Sequence, residues 1–415
     1  MTQGRHVVVI GGGVVGVCAA FYLAERGLQV TLIDRQDVCA GCSYGNAGLI
    51  APSHSVPLAA PGVQWRALRW MLDGASPFYI KPRLDPGLVA WLWRFHRSCT
   101  EANVERALPV LRDMSLASFS LYRELAARPD LDFGFEAKGY LAVYRTRPGL
   151  EAGTREALRL TALGVDARAL EPAQARGLEP SLLPSIAGAI HFPGDGHLVP
   201  DRFVRGLAGV AEKAGVTIRP ATEALDFTAR GRRIQAVETT RGSLACDEVV
   251  LAAGSWSPAL ARRLGLRLPV QAAKGYSVTY RRPPGAPRMP MTLAETRVAV
   301  TPMGDMLRLA GTLELAGLDL AVSPRRVEAV KRSIAGYLTP FEGLELLEVW
   351  RGLRPCTPDG LPAIGRPKAF DNLVLATGHA MLGVSLGPIT GKLVSQLIAG
   401  GRADVDLAPL SPDRF

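Results

Sequence analysis

Gly11, Gly13 and Gly16 stand in the spacing G-x-G-x-x-G, directly after the apolar run Val7-Val8-Val9-Ile10. Each position answers a separate demand. The first glycine permits a tight turn out of a strand. The second lets the backbone approach a pyrophosphate with no Cβ between them, and the third lets the next helix pack closely on the sheet. A pyrophosphate would then rest on a helix N-terminus, where free N–H groups and the helix dipole favour an anion. Asp34 lies twenty-three residues past Gly11, at the end of the next apolar run. A carboxylate there suits a ribose diol and repels a 2′-phosphate. The chemistry indicated is capture of an adenine dinucleotide, and the fingerprint by itself serves NAD and FAD equally. A second glycine-rich stretch closes the chain. Asn372 to His379 reads as a strand entering a loop, and Gly383, Gly387 and Gly391 lead into an apolar helix. A second glycine-lined helix N-terminus suits a reduced flavin, which carries negative charge near N1.

These residues need elements to hold them. Val7–Ile10 suits a strand buried on both faces, Val14 to Arg26 carries apolar positions at roughly helical spacing, and Gly27 stops that helix. Val30, Leu32 and Ile33 alternate into the strand that ends at Asp34. The spacing predicts mainly helix from about 60 to 135, a strand over Tyr140–Tyr144, and helix then turns over 150–190. An amphipathic helix over Asp201–Ala214 precedes a strand at Val216–Ile218. Ile234–Thr240 and Ser243–Cys246 flank Arg241-Gly242 as a hairpin, and Glu248–Ala253 is an apolar strand ending at Gly254. Several β pieces fall in 268–320, including Tyr276–Tyr280 and Val298–Thr301, and Arg325–Tyr337 reads as helix. The last unit is the strand Leu373–Ala376 and the helix Pro388–Ile398. βα units therefore sit at the start, middle and end, with other material between. This predicts one nucleotide domain assembled from discontinuous segments, with a second domain inserted twice.

Composition narrows the function classes. The chain has 415 residues, 48% hydrophobic and 21% charged, which is globular and not low-complexity. A formal net charge of +10 favours anionic substrates, cofactors or surfaces. There is no run of five basic residues, no zinc-finger spacing and no aromatic-basic RNA-binding signature, so nucleic acid is not expected. No G-x-S-x-G elbow, H-E-x-x-H helix or P-loop is present, which removes support for hydrolase and phosphoryl-transfer readings. Six cysteines make no dense disulfide framework, and the start MTQGRHVVVIGGG has no signal-peptide layout. A cytoplasmic setting is expected, with a peripheral position on the inner face of the cytoplasmic membrane left open.

Four motifs together resemble the flavin-dependent amine oxidoreductases that include D-amino-acid dehydrogenase, glycine oxidase and sarcosine oxidase. They are VVVIGGGVVG with LIDR, SYGNAGLIAP at 43–52, GLRPCTPDGLPAIG at 352–365, and NLVLATGHAMLGVSLGPITG at 372–391. Within that family the chain is most similar to bacterial D-amino-acid and D-hydroxyproline dehydrogenases. The resemblance implies an α/β (α+β) architecture: a Rossmann-type FAD-binding domain built from discontinuous segments, and a substrate domain with a mainly antiparallel sheet and a helical insertion. The boundaries implied are 1–60, 191–267 and 346–415 for the FAD domain, and 61–190 and 268–345 for the substrate domain.

It also implies FAD, with Gly11, Gly13, Val14, Val15, Gly16, Asp34 and Arg35 along the ADP half. Cys42, Ser43, Ala47, Gly48 and Leu49 would line the stretch from pyrophosphate to flavin, and Ala224 would offer backbone to the adenine. Gly254 and Gly378 close the neighbouring strand ends, and His379, Ala380, Met381, Leu382, Gly383, Val384 and Ser385 would lie along the flavin pyrimidine. In similar glycine oxidases the arginine of the G-L-R-P motif holds the substrate carboxylate; here it is Arg354. A planar guanidinium takes a carboxylate with two parallel hydrogen bonds and keeps its proton. The alternative is a structural arginine paired with an acid such as Asp359. A second carboxylate arginine of those oxidases is replaced by Met381. Further contacts then fall to Tyr276 or His54, against the plain alternatives of a core tyrosine and a structural histidine. Cys39 and Cys42 form a C-x-x-C, of which Cys42 is read as a small flavin-loop residue, against the alternative of a disulfide or metal site. No metal and no general base are expected.

The activity implied is hydride transfer from Cα of a small D-amino acid to flavin N5, D-proline or hydroxy-D-proline being candidates. Electrons would pass to a quinone-type acceptor. An oxygen-using glycine or sarcosine oxidase and a non-catalytic flavin subunit are the competing readings. Trp65, Trp70, Trp91 and Trp93 with Arg66, Arg69, Arg94 and Arg97 suit a membrane interface, or the core of the helical insertion.

Overall fold

In the computed structural model, residues 4–65 and 76–415 are described. The glycine fingerprint opens a six-stranded sheet whose order is Ala363–Gly365, Leu373–Thr377, Glu248–Leu251, His6–Ile10, Gln29–Ile33, Thr217–Arg219. All pairings are parallel except that of Ala363–Gly365 with Leu373–Thr377. The central strands are buried along nearly their whole length, which explains why they read as continuous apolar runs. The helices Val14–Glu25, Pro200–Lys213 and Gly387–Ala399 contribute to one core with this sheet. A three-stranded antiparallel meander, Ala224–Arg230, Arg233–Thr239 and Gly242–Ala245, follows Thr217–Arg219.

A second, nine-stranded sheet is mainly antiparallel. Its path runs Leu346–Cys356, Gln271–Arg281, Met306–Leu315, Val298–Met303, Met291–Leu293, Tyr140–Tyr144, Gly188–Phe192, Arg168–Leu170, and Phe78–Ile80 pairs in parallel with Met306–Leu315. One face packs on the helix Pro324–Arg332 through Tyr276, Val278, Leu307 and Leu309.

Two expectations need correction. Leu346–Cys356, placed with the nucleotide segments by sequence, pairs over its whole length with Gln271–Arg281 in the second sheet. The long helix Glu101–Ala126, placed with the substrate unit, buries Phe119, Tyr122 and Leu125 in the core of the nucleotide unit. The physical reason is shared: a strand or helix joins whichever surface completes its apolar face, and that surface is not adjacent in sequence.

Candidate functional site

The first strand turns sharply at Gly11, which has φ +115°, and a Cβ there would lie 2.6 Å from the Ala252 carbonyl oxygen. A Cβ on Gly16 would lie 1.8 Å from the Gly11 carbonyl oxygen. Both positions therefore accept only glycine. Gly13 caps the helix Val14–Glu25 with no side-chain hydrogen bond and no acid in the first turn, and Val14 N–H donates to Ser43 Oγ at 3.0 Å. Asp34 accepts from Gly12 N–H at 2.7 Å and from Gln36 N–H at 2.8 Å. Thr222 N–H donates to the Asp34 carbonyl at 2.7 Å, which brings the chain just before Ala224 to this corner. Arg35 stacks its guanidinium 4.0 Å from the centre of the Trp256 ring, a partner the sequence did not signal.

The two loops that follow the fingerprint and the last strand are tied together. Ser385 Oγ–H donates to the Leu49 carbonyl at 2.7 Å, and Leu49 pairs with His197. Gly48 has φ +70°, with the Leu198 carbonyl 2.3 Å from where its Cβ would lie. Gly378 and Ala380 also have positive φ, and Ala380 N–H donates to the Pro355 carbonyl at 2.8 Å. From beneath, Tyr122 O–H donates to the Val384 carbonyl at 2.6 Å, and Ser118 Oγ–H bonds the Ser385 carbonyl. These two residues of Glu101–Ala126 were not found from sequence, because the only signal is a polar residue on a helix face that proves to be buried. His379 bonds Thr390 Oγ1 at 2.9 Å, and burial pulls its pKa down to about 3. Met381 is exposed. Cys39 and Cys42 are free thiols, and among the described residues no group of His, Cys, Asp or Glu is placed to hold a metal.

The strand Leu346–Cys356 ends against this loop, since Cys356 bridges His379. Alternation puts Trp350, Gly352 and Arg354 on one face. The Trp350 ring fills the space where side chains on Gly45 and Gly352 would stand, at 2.0 and 1.9 Å from their Cβ positions. Arg354 Nη1–H donates to the Thr312 carbonyl at 2.6 Å, and among the described residues it pairs with no carboxylate. Asp359, the expected alternative partner, is taken by Arg414 at 2.8 Å and Arg106 at 3.3 Å. Tyr276 is not brought to Arg354. It faces the opposite side of its strand, is buried in the second sheet's core, and donates to Glu314 Oε2 at 3.1 Å. His54 packs edge-on to Tyr140 at 5.0 Å, and burial with the nearby Arg297 charge holds its pKa at about 4.

Of the tryptophans read as an interface group, Trp91 is buried and donates its Nε1–H to the Cys356 carbonyl at 3.0 Å. Trp65 and Trp93 are exposed. Trp70, Arg66 and Arg69 lie outside the described residues.

The description "FAD dependent oxidoreductase" (DAO) matches residues 6–397. The chain belongs to the DAO family of FAD-dependent oxidoreductases. Within it, the chain is 36% identical to a D-amino acid dehydrogenase of Methylobacterium radiotolerans, over 99% of both chains. It is also 36% identical to a D-amino acid dehydrogenase of Agrobacterium fabrum, again over 99% of both. Among solved structures, glycine oxidase from Geobacillus kaustophilus superposes with a TM-score of 0.81 at 26% identity, covering 99% of each chain. L-proline dehydrogenase from P. horikoshii shares the fold, with a TM-score of 0.80 at 21% identity.

The residues present fit the family's cofactor. Gly11 and Gly16 allow a turn and a helix approach that a Cβ would block, Gly13 has only Ser43 Oγ within 4 Å of where its Cβ would stand, and the helix end behind it carries no acid to repel a pyrophosphate. Asp34 stands at the neighbouring strand end, where a ribose diol suits it. The Ser385–Leu49 bond joins the two glycine loops that would border the isoalloxazine.

Proposed function

We propose that this enzyme oxidises the Cα–N bond of a small D-amino acid whose carboxylate is held by Arg354. The observation that carries this is the state of Arg354 itself. It stands beside the loop that begins at His379, one N–H fixed on a carbonyl, and among the described residues no acid neutralises it. A guanidinium placed so has charge and donors to give to a ligand carboxylate. The D-configuration rests on the relatives named D-amino acid dehydrogenase.

FAD, when bound, supplies the two-electron acceptor for the Cα hydrogen. The chain's own part is binding and orientation. Arg354 holds the carboxylate, and Trp350, lodged against Gly45 and Gly352, is an apolar wall further along the same strand. The titratable groups described beside Arg354 are poor proton acceptors: His379 is buried on Thr390, and burial raises the Cys356 thiol to about 12 and pushes Cys42 up as well. The substrate amine must therefore arrive neutral. Its lone pair forms the C=N bond as the Cα–H electron pair leaves. The product is an iminium cation, which departs, gives its proton to water and hydrolyses, or stays cyclic for a proline-type substrate.

The acceptor that reoxidises the enzyme is a quinone in this proposal. An exposed groove lined by Leu84, Val89, Trp93, Arg94 and Arg97, with Arg83 paired to Asp85 at its edge, supports contact with an anionic membrane surface, apolar groups and cations being interleaved there. No helix among the described residues is long and apolar enough to cross a membrane, so such contact would be peripheral.

The test is at Arg354. Arg354→Ala should lower kcat/KM on the order of 10²-fold or more, with flavin retained, and Arg354→Lys should recover only part of it. Unchanged kinetics in a flavin-loaded Arg354→Ala enzyme would refute the proposal.

A further inference from the structure

The segment Lys274-Gly275-Tyr276-Ser277 shows alternate residues to the two faces of its strand. On the face shared with Arg354, a Cβ at Gly275 would lie 2.3 Å from Cζ and from both terminal nitrogens of that arginine. Equal distances to three atoms of one plane mean that the guanidinium lies flat on the Gly275 backbone. On the opposite face, Lys274 and Tyr276 both reach Glu314, with Lys274 Nζ 3.7 Å from Oε1 and the Tyr276 hydroxyl on Oε2. All three are buried, and Arg326 closes the cluster at 3.7 Å from Glu314. Glu314 lies two residues past Thr312, whose φ of +68° is rare for a β-branched residue. The ladder shifts register opposite this point, between Lys274 and Tyr276, and the Thr312 carbonyl is bonded by Arg354.

We propose that Gly275 is a positioning residue for the substrate carboxylate. Its absent side chain is the seat on which Arg354 lies, and the Thr312 carbonyl, anchored through the Lys274–Glu314–Tyr276 cluster, fixes one edge of the fork. Nε and Nη2 are left to meet a ligand. The inference rests on the reading that Arg354 holds a carboxylate, and it adds what sets the orientation of that arginine. A methyl at Gly275 strikes the free end of a side chain and not backbone, so the chain folds and the guanidinium lifts by more than an ångström. A misplacement of that size costs up to about 10²-fold in kcat/KM for a positioned group.

The experiment is a double-mutant cycle on the flavin-loaded enzyme. It is read by KM, by kcat, and by the Kd of benzoate, an inert carboxylate probe followed through flavin absorbance. Gly275→Ala should raise KM and the benzoate Kd roughly ten-fold or more while kcat falls less, and the effect should vanish when Arg354 is already alanine. An equal effect of Gly275→Ala in both backgrounds overturns the inference, because the methyl then acts without the arginine. If Arg354→Ala weakens benzoate and Gly275→Ala does not, the inference falls and the carboxylate reading stands. If Arg354→Ala leaves KM and Kd unchanged, both fall. Should Gly275→Ala alone fail to load flavin, the double variant must restore loading, since the clash is gone; failure of the double variant also overturns the inference.

Discussion

His379 and His54 are the histidines that follow the two flavin-side loops, and burial keeps both neutral, with pKa values pulled to about 3 and about 4. Neither is available as an acid near neutrality, and the His379 ring is engaged with Thr390. Under the proposed mechanism, protonation of the substrate amine then governs kcat/KM. Activity should rise with pH and level off at the amine's own pKa. Two substrates with different amine pKa values should show breaks displaced by that difference; a break that stays fixed across substrates would reveal an enzyme base. The sequence showed why an arginine in G-L-R-P has the right chemistry. It did not show that Asp359 is spoken for or that Tyr276 turns away, because both depend on partners tens of residues distant, Arg414 and Glu314.

The glycines of the last helix illustrate what an element's sequence hides. Gly387 and Gly391 read as part of a flavin-facing helix N-terminus. They are also where the helix Gly387–Ala399 crosses Val14–Glu25: a Cβ on Gly387 would lie 2.7 Å from Val14 Cγ2, and one on Gly391 would lie 2.4 Å from the Cys18 carbonyl carbon. Gly391→Ala should force the two helices apart at about 1–3 kcal/mol, lowering Tm by several degrees and weakening flavin retention, since the first helix carries the fingerprint. Thermal unfolding and flavin content measure both; an unchanged Tm would mean the crossing is looser than described. Elements with a local signal were legible. Tyr140–Tyr144 is a strand with the boundaries expected, and the hairpin around Arg241-Gly242 forms within a residue of expectation. Phe78–Ile80 and Gly188–Phe192 were missed, since each is short and is fixed by strands far along the chain. Leu346–Cys356, with Arg351, Gly352 and Arg354 inside it, lacks strand composition, and its pairing with Gln271–Arg281 decides it.

Over the whole molecule, buried titratable groups set opposite trends with pH. His54, His197 and His379 have folded pKa values depressed to about 4, about 4 and about 3, so their contribution is complete above about 6.5 and is lost as pH falls through those values. Asp195 runs the other way. Its carboxyl is fully buried on Ser53, and desolvation outweighs those hydrogen bonds and raises it to about 7. Its contribution is complete below the ordinary aspartate value, near 4, and is lost as pH rises through about 7. Asp195→Asn removes the charge, keeps an oxygen to accept from Ser53 N–H, and replaces the other bond with one of reversed direction, its Nδ2–H donating to Ser53 Oγ. It should raise Tm at pH 8 and change it little at pH 4.5, as scanning calorimetry at the two pH values would show. A loss of Tm at pH 8 would mean that the carboxylate is charged and needed there.

In the proposed reaction a carboxylate-anchored D-amino acid gives its Cα hydrogen to the family's cofactor, and a quinone then takes the electrons. One two-stage measurement reaches both. The enzyme is mixed without air with D- and L-enantiomers of alanine and proline while flavin absorbance is followed, and the reduced enzyme is then given either a soluble quinone or oxygen. The flavin should bleach with a D-enantiomer and not with its mirror image, and its colour should then return fast with quinone and slowly with oxygen. Bleaching by neither enantiomer, or by the L-form alone, would contradict the central claim. Fast recovery in oxygen with peroxide formed would leave the substrate assignment standing and make the enzyme an oxidase.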